Sequence, residues 1–205
     1  MDKNYWNNYY AKNNKPQEPS NFAKNVTNLI PAKSKIMELG CGTGRDSNYF
    51  ASKGHIVFAC DQSEVIIENL SKDNQSNPYF FKSNINQLSK NINDKFDIIY
   101  ARFVLHALDE IESKEAIDWI FSNLKTNGLF LSESRSIKDS IFGDGDKVNN
   151  RIYKTTHQRR FLKKNEILKD LENRGFVIDD VVESKGLAVY KDSDPVVIRI
   201  TARKP

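Results

Sequence analysis

The stretch Ile36-Met37-Glu38-Leu39-Gly40-Cys41-Gly42-Thr43-Gly44-Arg45-Asp46 decides how this chain of 205 residues is read. An apolar run carrying one acidic residue stops at three glycines set two positions apart. That order predicts a buried strand, a tight turn and the first turn of a helix. Glycine lets the turn take positive φ and lets a ligand lie against the main chain. The helix start beyond it offers unpaired N–H groups and a partial positive charge. A polar, flat or anionic ligand is expected here.

Working outward, His55 to Asp61 reads as a second strand, apolar almost throughout as parallel strands are. Its last residue, Asp61, can accept two hydrogen bonds at once and so suits a diol. Pro78 to Lys82 predicts a third strand, followed by Ser83-Asn84-Ile85. Phe96 to Tyr100 predicts a fourth, which runs into Ala101-Arg102-Phe103-Val104-Leu105-His106. Leu129 to Leu131 is the fifth and ends at Ser132-Glu133-Ser134-Arg135, after a turn at Asn127-Gly128. Helices are expected between them: Asp46 to Lys53 with Gly54 at its end, Ser63-capped Glu64 to about Asp73, and Glu110 to Lys125. In the last of these, Ile111, Ile117, Ile120 and Leu124 are the expected core positions. Asn165 is expected to cap a helix to Arg174, and the strands Phe176 to Glu183 and Val196 to Ala202 follow. The alternation predicts a doubly wound α/β sheet, with its ligand outside the carboxyl ends of the strands where their order reverses.

These residues resemble motif I of the class I S-adenosylmethionine (SAM)-dependent methyltransferases, acidic-x-Gly-x-Gly-x-Gly after an apolar strand. A dinucleotide fingerprint, G-x-G-x-x-G, needs a small residue where the chain has Arg45, and Glu38 would repel a nucleotide phosphate. Asp61 alone fits both families. The resemblance implies one domain over residues 1–205, a Rossmann-like seven-stranded, mostly parallel sheet closed by a C-terminal antiparallel hairpin. It implies SAM as cofactor, S-adenosylhomocysteine (SAH) as product and no required metal. Glu38, Gly40, Cys41, Gly42 and Gly44 would form the cofactor loop, with Asp61 on the ribose and Gln62 beside the adenosine. Asn84 stands where the family commonly has an acid; its side-chain oxygen can still accept from the adenine amino group. Ile85 would flank it, and Ala101 lies in the stretch matching motif IV, beside the transferred methyl.

Tyr5, Trp6, Tyr9 and Tyr10 cluster in an otherwise polar N-terminus. After Pro16 and Pro19, Ser20 is a good N-cap for a helix with Phe22, Val26, Leu29 and Ile30 on one face, ended by Pro31. Residues 1–31 resemble the lid helices of small methyltransferases; equally, the aromatics can simply pack a helix onto the sheet. Residues 135–160 read as no regular element. A loop that long is usually functional, so it is expected to cap the substrate. Its Gly143-Asp144-Gly145-Asp146 lacks the bidentate Glu of a calcium loop.

A net charge of +4 spread along the chain gives no nucleic-acid footprint. No signal peptide or membrane span is read, and Cys41 and Cys60 are expected as free buried thiols of a cytoplasmic protein, monomer or homodimer. Methyl transfer from a sulfonium is an in-line displacement that mainly requires positioning. An anionic oxygen needs cations to hold it, and a hydroxyl needs a base as well. The candidates are Arg102, Arg135, Arg159 and Arg160, His106 and His157, with Tyr10 and Tyr153. Each arginine can equally be a solvated surface residue, and His106 an ordinary core histidine. The runs around Arg102, His157 to Phe161 and Asp194 to Arg199 resemble small bacterial methyltransferases acting on surface-polysaccharide precursors or on phosphate and phosphonate oxygens. The expectation is O-methylation of a small anionic acceptor, with Arg102, His106 and His157 in catalytic roles. Another small molecule, RNA or protein as acceptor, a NAD(P) oxidoreductase, and a SAM-binding protein without turnover are the alternatives.

Overall fold

Strand β1 (Lys35–Leu39) lies in the interior of the sheet, with apolar side chains on both of its faces. Met37 and Leu39 point into one core layer with Ile99 and Ala101, and Ile36 points into the other with Ile98 and Tyr100. Each such side chain, wholly removed from water, contributes about 1.5–3 kcal/mol. The computed structural model describes residues 3–15, 17–72, 76–85, 88, 92 and 94–205.

The N-terminal helices are α1 (Lys3–Lys12) and α2 (Asn21–Val26), the latter continued by a short 3-10 turn, Thr27–Leu29. The layers around β1 are built by α3 (Arg45–Ser52), β2 (Ile56–Asp61), α4 (Glu64–Ser71), β3 (Tyr79–Lys82) and β4 (Phe96–Arg102). Next come a 3-10 turn at Leu105–Ala107, α5 (Glu110–Asn123) and β5 (Leu124–Arg135). After β6 (Asp146–Asn149), β7 (Ile152–Lys154) and β8 (Gln158–Arg160), the chain ends with α6 (Lys164–Asn173), β9 (Val177–Ser184) and β10 (Val197–Arg203). The main sheet has the order β3-β2-β1-β4-β5-β10-β9. Its pairs are parallel except those made by β10, which runs antiparallel to both β5 and β9. This is the expected seven-stranded, mostly parallel sheet with an antiparallel C-terminal pair. Strand order reverses between β1 and β4, so a crevice opens beyond Leu39 and Ala101, which are register partners.

Several local expectations change. Residues 146–160 form a small antiparallel sheet, β6-β7-β8, where the sequence showed no periodicity because its strands are three or four residues long and mostly exposed. β5 runs on through Asn127-Gly128 as an irregularity in its pairing with β4 and does not turn there. Ile111 is 71% exposed; the helix starts at Glu110, held by the Asp109/Glu112 capping box, and that phase turns Ile111 outward. Asn165 lies inside α6, whose N-cap position is Lys163. Ser63 is at the N-cap of α4, but its hydroxyl donates to Asn7 Oδ1 (2.7 Å) and ties α1 to α4. Pro16 and Asp73, expected at helix boundaries, lie outside the described residues. Among the described residues no helix is long and apolar enough to cross a membrane.

Candidate functional site

The crevice at the β1/β4 reversal is a cavity of about 330 Å³. Its floor is the glycine turn. Gly40 and Gly42 have φ of 67° and 52°, and a Cβ on Gly42 would lie 2.7 Å from the Tyr10 hydroxyl, so only glycine leaves the main chain open there. The turn is fixed from β2: Cys41 N donates to Cys60 O (2.9 Å) and Gly42 N to Asp61 Oδ2 (3.1 Å). Asp61 Oδ1 accepts from Ser63 N (2.9 Å). Burial raises the Asp61 pKa, while the N–H groups of Ser63, Gly42 and Gln62 pull it down. A carboxylate oxygen can accept more than one hydrogen bond, so both keep capacity for a ligand. Asn84 Oδ1, also in the wall, is buried with no hydrogen-bond partner. Such an atom is costly to leave unpaired, which fits an acceptor awaiting a ligand donor.

A second group of polar side chains backs the turn. Asp46, in the first turn of α3, accepts from Ser20 N (2.7 Å), Ser20 Oγ (2.7 Å) and the Tyr100 hydroxyl (2.8 Å). Glu38 accepts from Ser47 Oγ. Both carboxylates are buried in the same wall. Burial first, and the neighbouring Asp46 second, push the Glu38 pKa well above the carboxylate range. A positively charged group, such as the ammonium of an amino acid, would relieve that crowding.

One consequence is testable. A carboxyl whose folded pKa is raised costs stability as pH climbs above its unfolded value. Glu38→Gln removes that cost and keeps an acceptor for Ser47. Without ligand, the variant is expected to melt higher by about 2–4 °C at neutral pH, the equivalent of about 1 kcal/mol, with the gain shrinking toward pH 4. Thermal unfolding at pH 4.5 and 7.5 measures this, and a pH-independent difference would refute the crowding argument.

Residues 36–128 match a family model described as a methyltransferase domain. A protein of Geobacillus sp. (strain WCH70) named as a methyltransferase is 29% identical over 115 residues, 54% of this chain and 47% of that protein. The match thus spans about half the length of that curated relative. The TehB-like SAM-dependent methyltransferase from Corynebacterium glutamicum superposes with a TM-score of 0.69, at 19% identity, over 98% of this chain and 97% of its own. The Burkholderia thailandensis 1,6-didemethyltoxoflavin-N1-methyltransferase, solved with its substrate and SAH, gives 0.70 at 19% identity, covering 89% and 76%. At these identities the superpositions speak for the fold. The family match starts in β1 and contains the glycine turn, Asp61, Asn84 and the end of β4. Residues 36–128 therefore carry a methyltransferase domain, and the chain as a whole has the fold of the SAM-dependent methyltransferases.

SAM is the cofactor that this domain and fold imply, and the residues present fit it. Its loop and wall bring Glu38, Gly40, Cys41 and Gly42 together with Asp61, Gln62, Asn84 and Ile85. Gly44 is set back as the N-cap of α3, packed on Phe80 and Leu70, and Ala101 is buried in the sheet below. Among the described residues no cluster of His, Cys, Asp or Glu has metal-binding geometry.

The acceptor candidates separate. Tyr10, Arg102 and Arg135 line the cavity. His106, Tyr153, His157, Arg159 and Arg160 are not among its lining residues. Arg160 donates to the carbonyls of Leu108 (2.9 Å) and Leu105 (3.4 Å), bracing the turn after β4. Tyr153 packs on Phe142 and Phe161. His157 is buried under Tyr5 and Trp6, joining α1 to the small sheet. His106 sits behind Phe103 and faces Arg135, where its Nδ1 accepts from the Arg135 N–H (3.4 Å). Burial first, then Arg135, Arg159, His157 and Arg102, drive its pKa well down, which keeps it neutral. Sequence reasoning missed Glu133. The register sets Arg102, Glu133 and Arg199 side by side on β4, β5 and β10. Glu133 is 0% exposed, 2.9 Å from Arg102 Nε and 2.7 Å from Arg199 Nε. The contact to Arg102 is a charge contact lying off the hydrogen-bond direction, so Glu133 Oε1 and Arg102 Nε make no hydrogen bond.

Proposed function

We propose that this methyltransferase methylates an oxygen of a small anionic acceptor, a phosphate, a phosphonate or a sugar-derived acid. The charge balance around Phe103 carries the reading. Arg102 and Arg135 flank its ring, at 4.4 and 5.8 Å from the guanidinium carbon to the centroid. Arg159 lies close enough to Arg135 to lower its own pKa, after burial. With Arg199, four guanidiniums face two carboxylates, Glu133 and Asp139. These arginines lie at the strand ends beside the cofactor cavity, whereas the carboxylates Glu38 and Asp46 are buried behind the glycine turn, and a planar guanidinium fork suits phosphate or carboxylate oxygens.

Bound SAM supplies a sulfonium methyl whose S–C bond breaks as the acceptor's O–C bond forms, so an oxygen that arrives ionised needs no base. Arg102 and Arg135 hold that oxygen in line and shield its charge. His106 and His157, neither of them among the cavity's lining residues, support the arginines and α1. Helix α1 and the β6–β8 sheet act as the cover: Trp6, Tyr9 and Tyr10 reach the cavity, and His157 fastens the helix to the small sheet. Water is thereby kept from the sulfonium.

The test is a screen of phosphomonoesters, phosphonates and sugar acids with methyl-labelled SAM, repeated with Arg135→Gln. The variant is expected to raise acceptor KM by at least about tenfold, the loss of one charge-assisted hydrogen bond, with SAM affinity unchanged. Label transfer to uncharged acceptors alone, or an equal loss of SAM binding, would end this reading.

A further inference from the structure

A second cavity of about 330 Å³ adjoins the first. It lies between the start of α2 and the chain linking β9 to β10, and neither the glycine turn nor Asp61 lines it. The two cavities share Gln17, Arg45, Arg102, Ala188 and Tyr190, so a molecule passing from one to the other goes between two guanidiniums. Beyond that neck the character changes. Pro19, Phe22, Leu187, Ala188, Val189 and Tyr190 supply a largely apolar wall. The floor is Arg102 and Glu133, whose Oε1 is fully buried and makes no hydrogen bond. Arg45 is held by Gln17 Oε1 at 3.1 Å and stands 3.9 Å from Asp46, which already accepts three hydrogen bonds. Its guanidinium offsets the buried carboxylates Asp46 and Glu38 on one side and borders the cavity on the other.

We infer that the second cavity is the acceptor's chamber and that the acceptor is an amphipathic anion, its charged end in the neck between Arg45 and Arg102 and its apolar body against Phe22 and the 187–190 segment. This rests on the anionic-acceptor reading above and adds a body to it. A bare inorganic anion would leave the apolar wall uncovered, and an uncharged hydrophobe would gain nothing from the two guanidiniums of the neck. An ionised head in the neck lies at the edge of the cofactor cavity, and Glu133 Oε1 offers an acceptor to a P–O–H or hydroxyl donor beside it.

Calorimetric titration of the SAH-loaded protein with octyl phosphate, inorganic phosphate and octanol tests the inference. Burying about two methylene groups is already worth about tenfold, so octyl phosphate is expected to bind at least about tenfold tighter than inorganic phosphate. Val189→Trp and Asn21→Trp fill the chamber from opposite walls, at residues that are exposed and so tolerant of change. Each is expected to erase the advantage of octyl phosphate while leaving SAH and inorganic phosphate binding as they were. Equal binding of the two phosphates, or an advantage that survives both tryptophans, overturns the chamber and leaves the anionic reading standing. Binding of octanol but of neither phosphate overturns both.

Discussion

Asp61→Ala is expected to weaken SAM and SAH binding by at least about 100-fold. The carboxylate holds two positions at once. It takes Gly42 N at 3.1 Å and Ser63 N at 2.9 Å, and so fixes the floor of the cavity relative to β2 and α4. The family resemblance puts the ribose here, where its two hydroxyls would donate to the remaining lone pairs. Hydrogen bonds to a charged group contribute about 1.5–3 kcal/mol each, so losing two costs about 3–6 kcal/mol, of which 100-fold is the lower end. Asp61→Asn separates the two roles. Its amide keeps the volume but carries one donor face, which must point at a backbone N–H or at the ligand. It is expected to lose nearly as much affinity as alanine. Calorimetric titration with SAH measures both, and unliganded thermal unfolding checks that the sheet is intact. A loss under about threefold in Asp61→Ala would mean that the cofactor lies elsewhere.

The parts of the molecule that were legible in the sequence are those in which one short stretch sets its own structure. Residues 36–46 carry their strand, turn and helix start in consecutive positions, and Asp61 is readable because it ends an apolar strand one βαβ step later. The Ser20 cap is local too, and its hydroxyl accepts from Ala23 N at 3.0 Å. What was not legible depends on register between distant strands. Glu133 looked like any acid after a strand. It becomes the partner of two arginines only because β5 pairs with β4 and β10 at that residue. Asp46, two residues past the last glycine, looked like a helix-start acid favoured by the dipole. Its three hydrogen bonds come from Ser20 and Tyr100, 26 and 54 positions away.

The histidines make the same point from the other side. His157 beside Arg159-Arg160 has the composition of an anion-binding loop. In the fold, β8 turns Arg160 inward onto backbone carbonyls, and the bend before it sets His157 onto the rings of Tyr5 and Trp6. Alternation along a strand sends neighbouring side chains to opposite faces, so a run of candidates never serves one site as a block. The N-terminal aromatics resolve similarly: Trp6 and Tyr10 reach the cavity, and Tyr5 meets His157.

Glu133→Ala is expected to lower the melting temperature by about 6–20 °C. The side chain is fully buried between Arg102 and Arg199, and Arg199 is further tied to Leu187 O at 2.7 Å. Removing one partner of a buried ion pair costs about 3–5 kcal/mol because the other charge is left uncompensated, and about 2–4 °C of melting temperature goes with each kcal/mol in a chain of this size. Here two guanidiniums lose a shared partner and repel each other across the gap. Glu133→Gln, which still accepts one hydrogen bond, is expected to lose less. The decisive comparison is Glu133→Leu with Arg199→Leu, which removes one carboxylate and one guanidinium together. If the cost lies in the unpaired charge, the double variant recovers a large part of what Glu133→Leu loses alone. If it lies in lost packing, the two losses add. The same pair of measurements bears on function, since this carboxylate and Phe103 hold Arg102 at the neck of both cavities. In the double variant the fold is kept and Arg102 is released, so acceptor KM should rise while SAH affinity stays. An unchanged KM would show that Phe103 alone positions Arg102, and that Glu133 serves the sheet and not the site.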